Sequence, residues 1–249
     1  MSQMLGKIVR NLGRVLVLVW HGLWSPRLVY RRYVVRKPVV GAVPGEQLAH
    51  DMFWEKRFQT RTAGWASIKG PAAPDSMGYE GTPYLVLVEV FRHLKLKMSD
   101  VFVDVGCGKG RVLLMALQTA VGVAVGVELD AGFLAAARDN LDSAESDSQR
   151  YALFHGPVQE FNFDAATVLF LFNPFGAETM RAMLDRVSAS LRRNPRELRI
   201  VYVNPVEEKV LAEASWLQRT EVWLRDAWPD NRFLPKRSHV VSFWATRHD

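Results

Sequence analysis

A chain of 249 residues, 49% hydrophobic and 23% charged with ordinary Gly (17) and Pro (12), can bury one sizeable core and falls outside the disordered, collagen-like and low-complexity classes. Its single cysteine, Cys107, excludes an internal disulfide and a cysteine-based zinc site, so a reducing cytoplasm is the expected location. The net charge of +6 comes from residues 1–40, which hold eight Lys/Arg and no acid; the rest carries 24 Lys/Arg against 26 Asp/Glu, a net of −2 that disfavours nucleic acid as a partner of the body.

Residues 1–40 read as a basic amphipathic N-terminal arm. In a helix, Leu5, Ile8, Leu12, Val15, Leu16, Val19 and Leu23 share one face and Lys7, Arg10, Asn11, Arg14 and His21 the other. The apolar run Val15–Trp24 is too short for the roughly 20 residues a bilayer span needs. No small-residue cleavage site follows, so a signal peptide is not expected. Two readings of the arm stay open: a helix packed on its own body, or peripheral contact with an anionic membrane through residues 1–38.

Residues 41–81 read as an irregular, aromatic-rich lid or linker of loop and short helix, because nine Gly and Pro residues from Gly41 to Gly81 interrupt it. From residue 82 to 249 the pattern is that of one α/β domain. A helix runs from about Leu85 to Leu94. Strands are then predicted at 101–105, 123–128, 151–155, 167–172 and 198–203, with helices at 111–120, 131–142, 177–193 and 206–214. This alternation predicts a doubly wound, mostly parallel Rossmann-like sheet, and Thr220–Leu224 with Val240–Ala245 an antiparallel edge pair at its C-terminal side.

The strand Val101–Val105 runs into Gly106, Gly108 and Gly110 and then a helix, so backbone can approach a ligand closely there. A dinucleotide fingerprint needs its third glycine at position 111, which is Arg111. Asp104, at the strand's end, repels a pyrophosphate and attracts an ammonium. Glu128 ends the next strand, where a carboxylate accepts hydrogen bonds from both hydroxyls of a ribose. Ribose plus ammonium without phosphate points to S-adenosylmethionine.

Asp104-x-Gly106-x-Gly108-x-Gly110 followed by Glu128 resembles the first motif and ribose acid of class I S-adenosylmethionine-dependent methyltransferases. The resemblance implies cofactor positions at Asp104, Gly106, Gly108, Gly110 and Glu128, with Cys107 contributing backbone only. Over about residues 79–205 the chain is most similar to the non-SET lysine methyltransferases of the disruptor-of-telomeric-silencing type. Three segments carry this: Tyr79-Glu-Gly-Thr-Pro83, Val168-Leu-Phe-Leu-Phe-Asn-Pro-Phe-Gly176 and Arg199-Ile-Val-Tyr-Val-Asn-Pro205. The likeness implies that Tyr79 and Thr82 help cover the cofactor and that Asn173 lines the methyl-transfer channel. Where many class I enzymes place an acid against the adenine amino group, this chain has Pro157, so backbone groups, Gln159 or apolar packing by Val158 must serve. The family's second asparagine is absent, Phe172 preceding Asn173 and Pro174 following it, so a histone acceptor is not implied.

Asn173, Pro174 and Phe175 are the candidate catalytic group. Asn173 ends a strand at the usual ligand position, with its amide oxygen and a backbone carbonyl held extended by Pro174 available to an amine. Phe175 is suited to excluding water beside it. A strand-ending turn with a core Phe is the competing reading. His155 at its strand end, and Tyr202, Asn204 and Pro205 at theirs, are weaker candidates. No histidine has metal-ligand spacing. The stretches Phe53–Trp65 and Pro229–Arg237 are the expected lids. N-methylation of an amine, on a protein lysine or a small molecule, is the leading reading. Small-molecule O- or N-methyl transfer and a non-catalytic cofactor-binding module are the alternatives.

Overall fold

A computed structural model describes residues 45–66, 75–223 and 239–247. The N-terminal arm and the whole of the Pro229–Arg237 loop lie outside the described residues. No described helix is long and apolar enough to cross a membrane.

The chain order is α1 (Gly45–Phe58), β1 (Trp65–Ala66), β2 (Tyr79–Glu80), α2 (Tyr84–Leu94), β3 (Val101–Val105), α3 (Arg111–Ala116), β4 (Val123–Glu128), α4 (Ala131–Ser143), β5 (Tyr151–His155), a 3-10 turn (Val158–Glu160), β6 (Val168–Phe172), α5 (Ala177–Arg193), β7 (Arg199–Val203), α6 (Glu208–Glu213), β8 (Leu217–Trp223) and β9 (Val241–Thr246). All five parallel strands predicted from the sequence are present to within a residue. The tail strands do form an antiparallel pair, with β8 starting three residues earlier than expected. α1 corrects the reading of 41–81 as loop and short helix. It is 14 residues long, because the Gly and Pro punctuation stops at Gly45 and does not resume until Gly64.

The main sheet has the order β5-β4-β3-β6-β7-β9-β8, with β5 to β7 parallel and β9 antiparallel to both β7 and β8. The chain steps outward from β3 through β4 to β5, then returns to the other side of β3 with β6. That reversal puts a crevice beyond the C-terminal ends of β3 and β6.

Central parallel strands are covered on both faces, which is why they read as unbroken apolar runs. Phe102, Phe170 and Val201 pack with Leu87, Leu113 and Leu114 of α2 and α3 on one face. Val103, Leu169 and Ile200 pack with Met180, Val187 and Leu211 of α5 and α6 on the other. Period-two alternation places Asp104 on the same face as Phe102, and it is only 2% exposed.

α1 docks on this body through Trp54, whose ring stacks on Phe58 and Tyr84 at centroid distances of 5.3 and 6.0 Å. Its polar face turns inward as well. Asp51 and Glu55, one turn apart, both pair with the buried guanidinium of Arg111 at the start of α3, at 3.1 and 3.0 Å. The same guanidinium donates to Thr62 Oγ1 and the Thr82 carbonyl and lies 4.4 Å over the Tyr84 ring. Burial opposes its charge, but Asp51 and its other anionic neighbours hold its pKa above the usual value. The helix that begins at the glycine loop is thereby fastened to α1 and to the strand-poor segment before α2.

Candidate functional site

A cavity of about 430 Å³ occupies the crevice. Its floor is the turn after β3. Gly106 and Cys107 donate their N–H groups to the Val127 carbonyl, and Gly108 donates to Glu128 Oε2 at 2.8 Å. Two glycines here are required by contact as well as conformation. A Cβ on Gly106 (φ +76°) would stand 2.9 Å from Pro174 Cβ, and one on Gly108 (φ +51°) 2.4 Å from the Tyr79 ring.

Two buried carboxyls set the electrostatics of this floor. Asp104 Oδ2 has no hydrogen-bond partner, and burial, reinforced by Glu128, pushes its pKa well above the carboxyl range. Glu128 is 5% exposed and accepts from the N–H groups of Gly108 and Asp130, which leaves two of its four lone-pair sites for a ligand. Its pKa is also raised by burial. Burial raises the Cys107 thiol pKa well above its ordinary value, so no reactive thiolate stands in the motif.

The roof is a strap of residues 75–82. Asp75 accepts from the Thr179 N–H and hydroxyl at 3.1 and 2.8 Å, capping the first turn of α5, and its carbonyl accepts the Gly176 N–H. Met77 N–H donates to the Pro174 carbonyl, and Ser76 bridges Phe175. The Tyr79 hydroxyl donates to the Thr62 carbonyl, and its ring lies 5.0 Å from that of Phe133. Thr82 is buried and borders the same space. The strap therefore rests on the Asn-Pro-Phe segment at one end and on the Arg111 network at the other.

All the cofactor positions expected from the sequence except Gly110 line this cavity, together with Asn173, Pro174 and Phe175. Gly110, at φ +81°, instead begins α3. Val158 borders it from the 3-10 turn, beside Pro157 and Gln159. Several expectations are corrected. Asn173 has φ +43°, in the left-handed region, so Pro174 does not hold its backbone extended; β6 must reverse at once to start the strap-bearing turn, and asparagine tolerates that conformation. His155 is exposed, approaches the Leu129 carbonyl at 3.2 Å and does not line the cavity. Tyr202 is fully buried, and its hydroxyl accepts the Glu207 N–H. No residue of Phe53–Trp65 borders the cavity; the covering segment is 75–82. Sequence reasoning missed Arg111, Asp51, Glu55 and Asp75, whose contacts join segments 56 to 104 residues apart.

The donor set fits S-adenosylmethionine. The orphaned Asp104 oxygen matches an ammonium, the open sites of Glu128 a ribose diol, and Val158 with Pro157 the flat apolar face of a base. Five carboxyl residues (Asp75, Glu80, Asp104, Glu128 and Glu178) border the cavity against one guanidinium, already paired, so the space is acidic and suited to a cationic ligand.

Residues 102–194 match the family described as "Methyltransferase domain". The ribosomal protein L11 methyltransferase of Neisseria gonorrhoeae is 32% identical over 102 residues, 41% of this chain and 32% of that protein. The enzyme of the same name from Cupriavidus necator is 32% identical over 129 residues, 51% of this chain and 40% of that protein. The chain thus spans about a third to two fifths of the length of these curated relatives. Among solved structures, an RNA methyltransferase from Salinibacter ruber in complex with S-adenosyl-L-homocysteine superposes with a TM-score of 0.50 at 16% identity, covering 68% of this chain and 95% of that one. A SAM-dependent O-methyltransferase from Thermotoga maritima gives 0.52 at 17% identity, covering 74% and 69%. These likenesses share the fold with this chain.

Proposed function

We propose, from the premise that residues 102–194 are a methyltransferase domain whose cofactor is S-adenosylmethionine, that this protein methylates an amine nitrogen on a protein, a lysine side chain first among the candidates. The observation that carries the reading is that Asn173, Pro174 and Phe175 border the same cavity as Asp104 and Glu128.

S-adenosylmethionine, when bound, supplies an electrophilic methyl whose C–S electrons stay with sulfur as the acceptor nitrogen's lone pair forms the C–N bond. The chain's residues have the tasks of binding and aiming. Asp104 pairs with the amino-acid ammonium, which removes the penalty on its buried charge. Glu128 accepts from the ribose, and Val158 packs on the base. Tyr79 and Thr82 close the strap over it. Gly106, Gly108 and the backbone of Cys107 allow close approach, with Gly110 starting the helix behind them.

Asn173 accepts an N–H of the incoming amine and orients its lone pair. Pro174 fixes the turn against Gly106, and the buried ring of Phe175 keeps water from one side of the nitrogen. An entering ammonium gives its proton to water at the open mouth, and desolvation beside Phe175 eases that loss. The acidic border attracts cationic amines and repels phosphates, which favours a protein acceptor over RNA. The names of the Neisseria and Cupriavidus relatives point to ribosomal protein as an acceptor to try first. The three segments shared with the non-SET lysine methyltransferases favour lysine. A cytoplasmic location agrees with both.

Incubation of the full chain with tritiated S-adenosylmethionine and ribosomal proteins, with acid hydrolysis and amino-acid analysis of labelled product, tests this. Label in methylated lysine or another amine supports it. Transfer only to hydroxyl acceptors or RNA overturns the acceptor class, and binding without transfer to any acceptor returns the chain to a non-catalytic module.

A further inference from the structure

The segment that ends β6 has a counterpart one strand away. β6 closes with Phe172-Asn173-Pro174 and β7 with Val203-Asn204-Pro205. Phe172 and Val203 are register partners in the parallel pair, so the two asparagines follow at equivalent places on adjacent strands, which lie about 4.8 Å apart. Both have left-handed backbones, Asn173 at φ +43° and Asn204 at φ +51°. Both border the cavity, and neither side-chain amide hydrogen-bonds to another described residue.

A turn alone does not require this. Glycine meets a left-handed φ at lower cost than asparagine. Both residues are half-buried, and their side-chain amides, uncommitted to the protein on neighbouring strands at the border of the cavity, are free to hydrogen-bond a polar guest. The backbone of Asn204 is already committed, its N–H to the Val240 carbonyl and its carbonyl to the Val206 N–H. Its side chain is the part left over.

We propose that Asn204 completes, with Asn173, a two-carbonyl subsite for the N–H groups of a primary amine, the acceptor end of the cavity. The inference rests on the methyltransferase reading above and adds a second positioning residue to it. A primary amine that has lost its acid proton has two N–H groups and one lone pair. With one N–H held by each amide oxygen, the lone pair has one remaining direction, back into the cavity toward Asp104 and Gly106. An ether, thiol or ring oxygen acceptor offers no such pair of donors. The methylammonium formed keeps both N–H groups; once it gives a proton to water, the secondary amine has a single N–H and engages only one of the two amide oxygens when it presents its lone pair again, which disfavours a second transfer.

Sinefungin, which carries a primary amine where S-adenosylmethionine carries its sulfonium methyl, probes this subsite without any acceptor or turnover. Calorimetry on the full chain compares its affinity with that of S-adenosylhomocysteine. Wild type binds sinefungin more tightly. Asn204→Gly keeps the left-handed backbone and removes only the amide, so it lowers sinefungin affinity about tenfold and leaves S-adenosylhomocysteine affinity within about twofold. Asn204→Asp, which keeps an acceptor oxygen, restores the preference. An Asn204→Gly protein that keeps its full preference for sinefungin, or weakens both ligands in parallel, overturns the subsite. Failure of wild type to bind S-adenosylhomocysteine at all overturns the underlying methyltransferase reading and the subsite with it.

Discussion

Replacing Asp104 with Asn should make the ligand-free protein more stable while weakening its hold on S-adenosylmethionine. Asp104 is 2% exposed, one of its oxygens has no partner, and Glu128 adds repulsion, so its pKa is raised. A carboxyl with a folded pKa above its unfolded value of about 3.9 binds more protons folded than unfolded between the two values. Its contribution to stability is therefore present in acid and lost as pH rises through that window. Because the group can always take a proton instead of holding a buried charge, its penalty at pH 7 is bounded by the free energy of protonating an ordinary aspartate there, about 4 kcal/mol. An unpartnered amide in the same place costs about 1–3 kcal/mol. The expected gain in the ligand-free protein is therefore at most about 1–3 kcal/mol, or roughly 2–12 °C in Tm for a chain of this size. The ligand's ammonium loses a charge-assisted contact worth roughly 1.5–3 kcal/mol, a weakening of about 10- to 100-fold. Thermal melts of both proteins from pH 5 to 8, with calorimetric titration of S-adenosylmethionine, measure the two effects. The wild-type melt should fall relative to the variant as pH rises. A variant that melts lower than wild type at pH 7, or binds the cofactor equally well, would refute the reasoning.

The remaining predictions concern the other parts of the site. Arg111→Met leaves Asp51 and Glu55 facing each other without their shared cation, a loss of about 3–5 kcal/mol, so thermal melting should drop by on the order of 10 °C; an unchanged melt would mean that α1 is held by its aromatic contacts alone. Gly108→Ala drives a methyl into the Tyr79 ring and strains a left-handed backbone, so calorimetric affinity for S-adenosylhomocysteine should fall more than tenfold, and wild-type affinity would show that the strap yields freely. Asn173→Gly preserves the turn and strips the amide, so S-adenosylmethionine affinity should stay within twofold while the rate of methyl transfer falls about 100-fold; an unchanged rate would leave the Asn-Pro-Phe segment a strand-ending turn.

The sheet was legible in the sequence because its parallel strands are buried on both faces and therefore read as apolar runs, and because Asp104 and Glu128 interrupt such runs where they end. α1 was harder to read. Its inward face carries Asp51 and Glu55 beside Trp54 and Phe58, so no clean apolar stripe marks it, and Arg111, which explains those acids, follows 56 to 60 residues later. The strap was invisible for a related reason: strands β1 and β2 are two residues each, and the segment is shaped by contacts to Pro174, Thr179 and Thr62 rather than by any period of its own. Asn173 was found by its neighbours but given the wrong backbone, since the preference of residues before proline for extended conformations yielded to the sharp turn at the end of β6. Its equivalence with Asn204 needed the β6–β7 register, although the repeated Asn-Pro was in plain view.

The central claim is that the crevice beyond β3 and β6 holds a nucleoside joined through sulfur to an amino acid, with no phosphate, and titration of the full chain with S-adenosylhomocysteine and, separately, with NAD tests it most directly. The account predicts saturable binding of S-adenosylhomocysteine, abolished or strongly weakened by Glu128→Ala, and no heat from NAD. Binding of NAD with indifference to both S-adenosylhomocysteine and S-adenosylmethionine would contradict it.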